Sequence, residues 1–297
     1  MSERKVVFTA GTGRGGTTLL NLILGSHSRG FAIGEIFGLP GRLRESDGAP
    51  CRFCGRHCHL WTQPFMDELI RRYWPARGLR GRLSRLGRRH PGLYTELFGR
   101  IDADALFDAS KSLPWLHSRL ADRRDWRSAS PYLVLVTRDG RAVINSFRRK
   151  DPEVPTAEYT SRWMTRMTEL ERLYADFDPQ HRVRIAYERL AASPLATVKH
   201  ICRVLDLSFE PAMVNYWLHE HHTLGGNKGT HYIAHQHRHS STSDDIHRPA
   251  TQQQSYYDDH GQSIKLDERW REEMPVKDLE VFENLAGKIN ASYAHGD

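Results

Sequence analysis

Apolar and polar positions along the chain predict strands that are each followed by a helix. Residues 5–10 (KVVFTA) form a short apolar run, which precedes a glycine-rich turn at 11–16 and an apolar helical pattern from Thr17. A second unit of this kind lies at 132–149, where YLVLVT precedes RDGRAVINSFRR. Further strands are predicted at 105–108 and 182–186, and helices at 112–121, 155–176, 194–206 and 276–292. This alternation predicts a three-layer α/β/α fold with a central parallel sheet.

Three stretches interrupt the alternation of strands and helices. They are a cysteine segment at 51–59, an arginine-rich segment at 71–90 and a polar, histidine-rich segment at 228–262. We expect one domain over residues 1–297, with the first two segments in an insertion at about 41–92. The third is expected to be an inserted loop.

Histidines are concentrated near the C-terminal third of the chain, with nine of the 17 between His219 and His260. His235, His237 and His239 lie in a serine-rich run. This composition is more typical of a mobile loop that covers the substrate than of a metal site. His222 precedes an LGGN turn, and we expect it to line the pocket.

The glycine-rich turn has the features of a phosphate-binding loop. It reads GTGRGGTT and joins a strand to a helix, so backbone N–H groups can converge on an anion at the positive helix end. Thr17 stands where a nucleoside triphosphatase P-loop has lysine. This favours a ligand with fewer charges than a triphosphate, held by Arg14 and the hydroxyls of Thr17 and Thr18 without a metal.

A second anion site is predicted after the strand at 132–137. Arg138 ends that strand, and Ser146 lies about two turns into the following helix. In a parallel sheet this strand end opens on the same edge as the glycine-rich turn. Two phosphate sites on one edge favour a nucleotide with phosphates at both ends.

The formal net charge of +7 favours anionic partners but does not choose among them. No apolar stretch reaches the roughly 18 residues of a membrane span, and no signal-peptide core is visible, so we expect a cytoplasmic protein. The four cysteines do not form a secreted disulfide framework.

Two ordered motifs, GTGRGGTTLL and TRDGRAVINSF, together resemble the 5′-phosphosulfate loop and the 3′-phosphate motif of sulfotransferases that depend on 3′-phosphoadenosine-5′-phosphosulfate (PAPS). The resemblance implies a P-loop nucleoside triphosphate hydrolase-like fold, PAPS as co-substrate, 3′-phosphoadenosine-5′-phosphate (PAP) as product, and no catalytic metal. It implies that the 5′-phosphosulfate is held by Arg14, Gly15, Gly16, Thr17 and Thr18, and the 3′-phosphate by Arg138 and Ser146.

Later parts of the chain extend this resemblance. YERLAASPLATVKHICRVLDLSFEP and the terminal DERW resemble bacterial members, and LGGN resembles a loop near the nucleotide, which implies a binding role for Gly225, Gly226 and Asn227. The family's usual Asp-Pro is replaced by Asp139-Gly140, a departure that we expect to be tolerated.

Sulfuryl transfer needs a base for the acceptor proton and positive charge near the leaving oxygen. Glu35, in FAIGEIF, resembles the glutamate base of some bacterial and tyrosylprotein sulfotransferases and is the candidate base; His27 is its rival. Lys111 follows a predicted strand, so it could reach the same sheet edge and steady the transferring group. Arg14 could do the same.

The cysteine segment contains Cys51, Cys54 and Cys58, with His57 and His59 between and beside them. These ligands suit a structural zinc site, but zinc-binding sequences usually show two paired clusters and only one is visible. A disulfide within the cluster and free thiols packed beside Trp61 remain alternatives.

The leading hypothesis is transfer of a sulfuryl group from PAPS to a hydroxyl or amine of a carbohydrate, lipid, natural product or peptide. One alternative is a kinase-like P-loop phosphotransferase, which the missing lysine and magnesium-binding aspartates disfavour. Another is a non-catalytic anion- or nucleic-acid-binding protein. Residues 71–90 contain eight arginines and no acidic residue, which favours an acidic acceptor or a membrane surface over nucleic acid.

Overall fold

A single parallel sheet forms the centre of the molecule in the computed structural model, which describes residues 3–45, 51–74, 90–236 and 263–294. The strands are β1 (Arg4–Gly11), β2 (Gly30–Gly34), β3 (Ala105–Asp108), β4 (Ala129–Thr137) and β5 (Arg182–Ala186). Their order across the sheet is β2-β3-β1-β4-β5, and every pair is parallel. The predicted parallel sheet is therefore confirmed, and all its carboxyl ends lie at one edge.

Helices connect these strands. In the described residues they are α1 (Thr17–Gly25), α2 (Leu39–Glu45), α3 (Gln63–Tyr73), α4 (Leu93–Phe98), α5 (Leu113–Leu120), α6 (Gly140–Arg148), α7 (Thr156–Asp176), α8 (Tyr187–Ala192), α9 (Pro194–Val204), α10 (Lys228–Gln236), α11 (Trp270–Glu273) and α12 (Val276–Asn290). Short 3₁₀ turns lie at Ile36–Gly38, Asp125–Arg127, Pro179–His181, Pro211–Val214 and Tyr216–Leu218.

The central strand β1 is an apolar run because both faces of the sheet are covered there. Successive residues of β1 face opposite sides, and Val6 and Phe8 belong to one hydrophobic cluster while Val7 belongs to another. All three side chains are at most 1% exposed. This burial pattern is typical of a parallel sheet between two helical layers and confirms the three-layer prediction.

The start of α6 explains how Asp139-Gly140 replaces Asp-Pro. The Asp139 side chain caps the helix, and the Gly140 N–H donates a 2.7 Å hydrogen bond to Asn290 Oδ1, a bond that proline could not make. A Cβ on Gly140 would lie 2.7 Å from Phe282 and 2.8 Å from Trp163. Glycine therefore lets α12 pack closely on this helix start.

The prediction of a loop over 228–262 is wrong for its first part. Residues Lys228–Gln236 form α10, in which His231 and His235 are buried. Asn227 begins this helix, because its Oδ1 accepts a 3.0 Å hydrogen bond from the Thr230 N–H. Buried imidazoles at helical spacing stabilise a packed helix, whereas their polarity alone suggested a loop.

Other predictions fall on residues outside the described ranges. These are the arginine-rich segment from residue 75 to 89 and the histidine run from His237 onward. Within the residues that the structure describes, no helix combines the length and the apolar character that crossing a membrane requires.

Candidate active site

The segments that follow all five strands border one cavity of about 260 Å³ at the carboxyl edge of the sheet. Among its lining residues are Arg14, Gly16, Thr17, Thr18, Glu35, Lys111, Arg138, Ser146, Gly226 and Asn227. The structure thus brings together the residues predicted to hold PAPS or to take part in the transfer, except Gly15, Gly225 and the two candidate histidines, His27 and His222. Chain segments more than 200 residues apart meet here because parallel strands end at the same edge.

The phosphate loop has a backbone suited to an anion. Arg14 and Gly16 have positive φ values of 66° and 92°, and the Gly15 N–H closes the turn on Thr12 O at 3.2 Å. Turns with such left-handed residues form concave nests of N–H groups. α1 begins at Thr17, and its N-cap residue is Gly16, which has no side chain to cap the helix. No acidic side chain lies in the first turn either, so the N–H groups at the positive end of α1 are open to a ligand.

Arg138 connects this loop to the segment before α11. Its guanidinium donates to the carbonyls of Arg14 at 2.8 Å and Asp267 at 2.9 Å, and it lies 4.4 Å from the ring centroid of Tyr187. The Asp267 carboxylate is 3.3 Å away. These contacts fix a buried cation at the cavity wall, about where the sequence predicts the second anion site.

Three further cations line the cavity, and sequence reasoning missed them. Arg149 lies just past the end of α6, one turn beyond Ser146, a spacing that could have identified it. Lys265 and Arg269 come from the segment before α11, where no local pattern announces a ligand-binding role. The cavity is therefore more basic than its two predicted motifs imply.

Asp267 is a carboxylate held among these cations. Burial raises its pKa, but hydrogen bonds from Arg269 and the charges of Arg138 and Arg149 outweigh that effect and leave the pKa well below its usual value. Among the residues that the structure describes, only two carboxylates, Asp267 and Glu35, line the cavity, against six cations. The cavity therefore keeps a positive potential that suits a polyanionic ligand.

Glu35 lies directly after β2, where its backbone N–H donates to Leu224 O at 2.5 Å. Its carboxylate accepts from Arg42 Nη2 at 2.6 Å and from Lys111 Nζ, and its side chain is 22% exposed. Burial alone would raise the Glu35 pKa, but the Lys111 and Arg42 charges lower it below its usual value. Glu35 is therefore ionised at neutral pH.

The loop after β3 places Lys111 beside Glu35. Asp108, at the end of β3, is fully buried and accepts a 2.7 Å hydrogen bond from the Ser110 N–H. Ser110 Oγ in turn accepts a 3.0 Å hydrogen bond from the Phe37 N–H. This chain of bonds fastens the loop after β3 to the loop after β2 and so brings the two oppositely charged side chains together.

Arg42 is a site residue that the sequence did not identify. It lies in α2, within the predicted insertion, and reaches Glu35 by passing over Gly225, where a Cβ would be 2.1 Å from Arg42 Cζ. Gly225 therefore admits the arginine and does not line the cavity that holds the phosphate loop. Asn227 does line it, and its N–H donates to Thr18 Oγ1 at 3.0 Å, which ties the LGGN turn to α1.

The two histidines proposed near the pocket lie elsewhere. His27 Nε2 is 2.9 Å from Ser208 O, and the ring lines neither this cavity nor the one described next. His222 contacts Cys54 and Cys58, so the prediction that it lines the pocket is wrong.

A second cavity, of about 430 Å³, adjoins the first. Its lining residues are Glu35, Phe37, Gly38, Arg42, Ser110, Lys111 and Ser112. Glu35 and Lys111 line both cavities, so their ion pair stands at the junction. Phe37 is 45% exposed and packs 5.7 Å from the ring of Trp115, which stacks at 4.8 Å on Trp74. This side of the junction is therefore partly aromatic.

Comparisons with known proteins agree with this geometry. The model of the sulfotransferase family matches residues 130–211, which include Arg138 and Ser146. A Caenorhabditis briggsae protein assigned as a protein-tyrosine sulfotransferase is 24% identical over 228 residues, which cover 74% of this chain and 71% of that protein.

Solved structures extend the comparison to the whole fold. The sulfotransferase domain of the Synechococcus PCC 7002 olefin synthase superposes with a TM-score of 0.55 at 17% identity, covering 96% of each chain. The sulfotransferase domain of the curacin biosynthetic pathway gives 0.54 at 20% identity, covering 99% of each chain. The resemblance to sulfotransferases is thus confirmed: this chain has their fold, and its residues 130–211 match the model of their family.

Proposed function

We propose that this chain is a sulfotransferase that moves a sulfuryl group from PAPS to a hydroxyl or amine of an acceptor. The observation that carries the proposal is the position of the Glu35 and Lys111 pair, which lines both a basic cavity with a phosphate loop and a second, partly aromatic cavity. Two substrates that exchange a group must meet at such a junction.

The basic cavity suits PAPS as donor. The 5′-phosphosulfate lies at the N-terminus of α1, where Arg14, Thr17 and Thr18 surround it, and the 3′-phosphate lies near Arg138 and Ser146. The match of the family model over the latter two residues supports this placement. Because Thr17 stands in place of a P-loop lysine, ATP would lack its usual phosphate ligand.

In the proposed reaction, the acceptor oxygen or nitrogen attacks the sulfur in line with the bridging oxygen of the donor. The new bond to sulfur forms as the bond between sulfur and that oxygen breaks, PAP leaves, and the acceptor proton passes to Glu35. Lys111, in contact with Glu35, is placed to stabilise charge on the sulfuryl and leaving oxygens. Lys111 contacts one oxygen of the Glu35 carboxylate, and Arg42 orients the group by contacting the other oxygen, Oε2.

The acceptor is proposed to occupy the second cavity, with its nucleophile at Glu35. The exposed ring of Phe37, backed by Trp115, offers an apolar surface to a flat or apolar part of the acceptor. Carbohydrate, lipid, natural-product and peptide acceptors can all present such a part. Two cations at the junction, Arg42 and Lys111, also suit an acceptor with negative charge.

Thermal unfolding of the purified protein tests the donor assignment. A ligand at 100 times its Kd stabilises the folded state by about 2.7 kcal/mol, so PAP should raise the Tm by several degrees. ATP with magnesium and RNA serve as the matched ligands of the kinase-like and nucleic-acid-binding alternatives. If PAP produced no shift while either of these did, the proposal would be wrong.

Transfer itself is tested with radiolabelled PAPS and a panel of acceptors from the four classes. We expect label on one class, and loss of that label when Arg138 is replaced by alanine. Release of PAP without label on any acceptor, or label that does not depend on Arg138, would contradict the proposed site.

A further inference from the structure

Three cysteines and one histidine converge away from both cavities. The sulfur atoms of Cys51, Cys54 and Cys58 and a ring nitrogen of His222 all lie within 4.8 Å of one another. His222 Nδ1 is 3.2 Å from Cys54 Sγ and 3.5 Å from Cys58 Sγ. The histidine is 164 residues from Cys58 in the chain, so only folding brings the fourth group to the cluster.

We infer that Cys51, Cys54, Cys58 and His222 bind one zinc ion in a tetrahedral structural site. Three thiolates and an imidazole are a ligand set typical of structural zinc, and four protein ligands leave no open position for catalysis. Cys51, Cys58 and His222 are at most 6% exposed. The sequence shows only one cluster of ligands, and the fourth ligand is a single histidine far along the chain.

The backbone of the cysteine segment has the turn that a metal knuckle needs. Gly55 has a positive φ of 58°, and its N–H donates to Cys51 O at 3.2 Å. The N–H groups of Cys54 and Trp61 point at the sulfurs of Cys51 and Cys58, at 3.5 and 3.4 Å. Such N–H donors stabilise sulfur ligands that carry negative charge.

The other ring nitrogen of His222 is also held. Its Nε2 lies 3.1 Å from Glu220 Oε1, the arrangement in which a carboxylate orients a metal-binding imidazole. This contact leaves Nδ1 free to face the sulfurs. His57 and His59, which stand among the cysteines in the sequence, are exposed and do not belong to the cluster.

A metal accounts for this cluster better than a disulfide does. A disulfide would join two sulfurs and leave the third thiol and the imidazole buried beside it with no common partner. One cation satisfies all four groups.

The ion has a specific structural consequence. His222 is two residues from Leu224, whose N–H donates to Ile33 O at 2.8 Å and whose carbonyl accepts from the Glu35 N–H at 2.5 Å. Arg52, beside Cys51, donates its N–H to Thr223 O at 3.0 Å. Zinc therefore holds the cysteine segment against residues 222–224, which hydrogen-bond to the backbone of Glu35.

Metal analysis of the purified full-length chain tests the site directly. We expect one zinc per chain, and, after removal of zinc under reducing conditions, a tetrahedral cobalt spectrum with thiolate charge-transfer bands at one equivalent of cobalt. His222→Ala and Cys54→Ser should weaken zinc binding by roughly 100-fold or more. Glu220→Gln, at an exposed position, should weaken it about 10-fold without threatening the fold.

Two matched variants serve as controls. His59→Ala removes an imidazole whose ring lies 4.7 Å from that of His222, and Cys202→Ala removes a buried thiol from another part of the core. Both should keep one zinc per chain and the cobalt spectrum.

The inference would be overturned if the wild-type chain bound neither zinc nor cobalt after reduction, or if mass spectrometry of the non-reduced chain showed a disulfide among the three cysteines. A cobalt spectrum that His222→Ala leaves unchanged would also overturn it. None of these outcomes depends on sulfuryl transfer, so they leave the proposed donor site untouched.

Discussion

Replacing Glu35 by glutamine tests the proposed base, and the structure sets the size of each effect. Glutamine keeps the shape but removes the negative charge that Arg42 and Lys111 share. Exposed ion pairs contribute about 0–1 kcal/mol and breaking a buried one costs about 3–5. Because the Glu35 side chain is 22% exposed, we expect a loss of about 2 kcal/mol. For a chain of this size, that lowers the Tm by about 5 °C.

The loss of turnover in Glu35→Gln should be much larger than its small loss of stability would cause. Loss of a positioned general base reduces kcat roughly 10²- to 10⁴-fold, equivalent to about 3–5 kcal/mol in the transition state. PAP should bind Glu35→Gln as tightly as the wild type or more tightly, because the cavity loses a negative charge near an anionic ligand. Single-turnover transfer from PAPS and calorimetric titration with PAP measure the two effects. A fall in kcat of less than about 10-fold would refute Glu35 as the base.

Glu96→Gln is the matched control. Glu96 also accepts two bonds, from Arg72 at 2.8 Å and from the Tyr73 hydroxyl at 2.6 Å, and its side chain is 13% exposed. It lines neither the donor nor the acceptor cavity. It should therefore lose similar stability and keep near-normal turnover. If both variants lost turnover equally, the effect of Glu35→Gln would reflect destabilisation and not chemistry.

Three further predictions follow from individual contacts. Arg138→Ala should weaken PAP binding roughly 100-fold, and adenosine 5′-phosphosulfate binding much less, in calorimetric titrations; an equal loss for both would remove the 3′-phosphate assignment. Gly16→Ala should cost about 1–3 kcal/mol in chemical denaturation and abolish PAP binding, because φ is 92° and the new Cβ would lie 2.6 Å from the Tyr187 ring. Gly41→Ala, where a Cβ meets nothing within 4 Å, is its neutral control. Burial lowers the pKa of His231 to about 3 from 6.5, so its contribution to stability is lost progressively as the pH falls below 6.5. Between about pH 7.5 and pH 5 this loss is about 2 kcal/mol. The free energy of unfolding of His231→Gln, measured by chemical denaturation, should therefore depend less on pH than that of the wild type. An equal pH dependence in the two proteins would contradict the lowered pKa of His231.

Local patterns predicted the sheet well, since β3 and β5 have the bounds that the sequence indicates. β3 (ALFD) is buried at every position, and in β5 (RVRIA) the apolar residues are buried while Arg184 is exposed. The apolar positions that predict these strands are therefore the ones that the fold buries. The short strand β2 was not predicted from the sequence. Helix α10 was missed because two of its buried residues are histidines, which composition alone assigns to a surface.

The sequence by itself determined which two motifs form the cavity that is proposed to bind the donor. The phosphate loop and the strand that ends at Arg138 are contiguous motifs, and parallel pairing places every strand end at one edge, so their meeting follows from local information. Tertiary structure alone decided the roles of Arg42, Lys265 and His222. His222 and Lys265 contact residues 164 and 78 positions away, separations that leave no periodic trace in the chain. Arg42 is only seven residues from Glu35, but the two side chains meet because Gly225 leaves room for the arginine. All three contacts depend on where segments pack and not on their spacing.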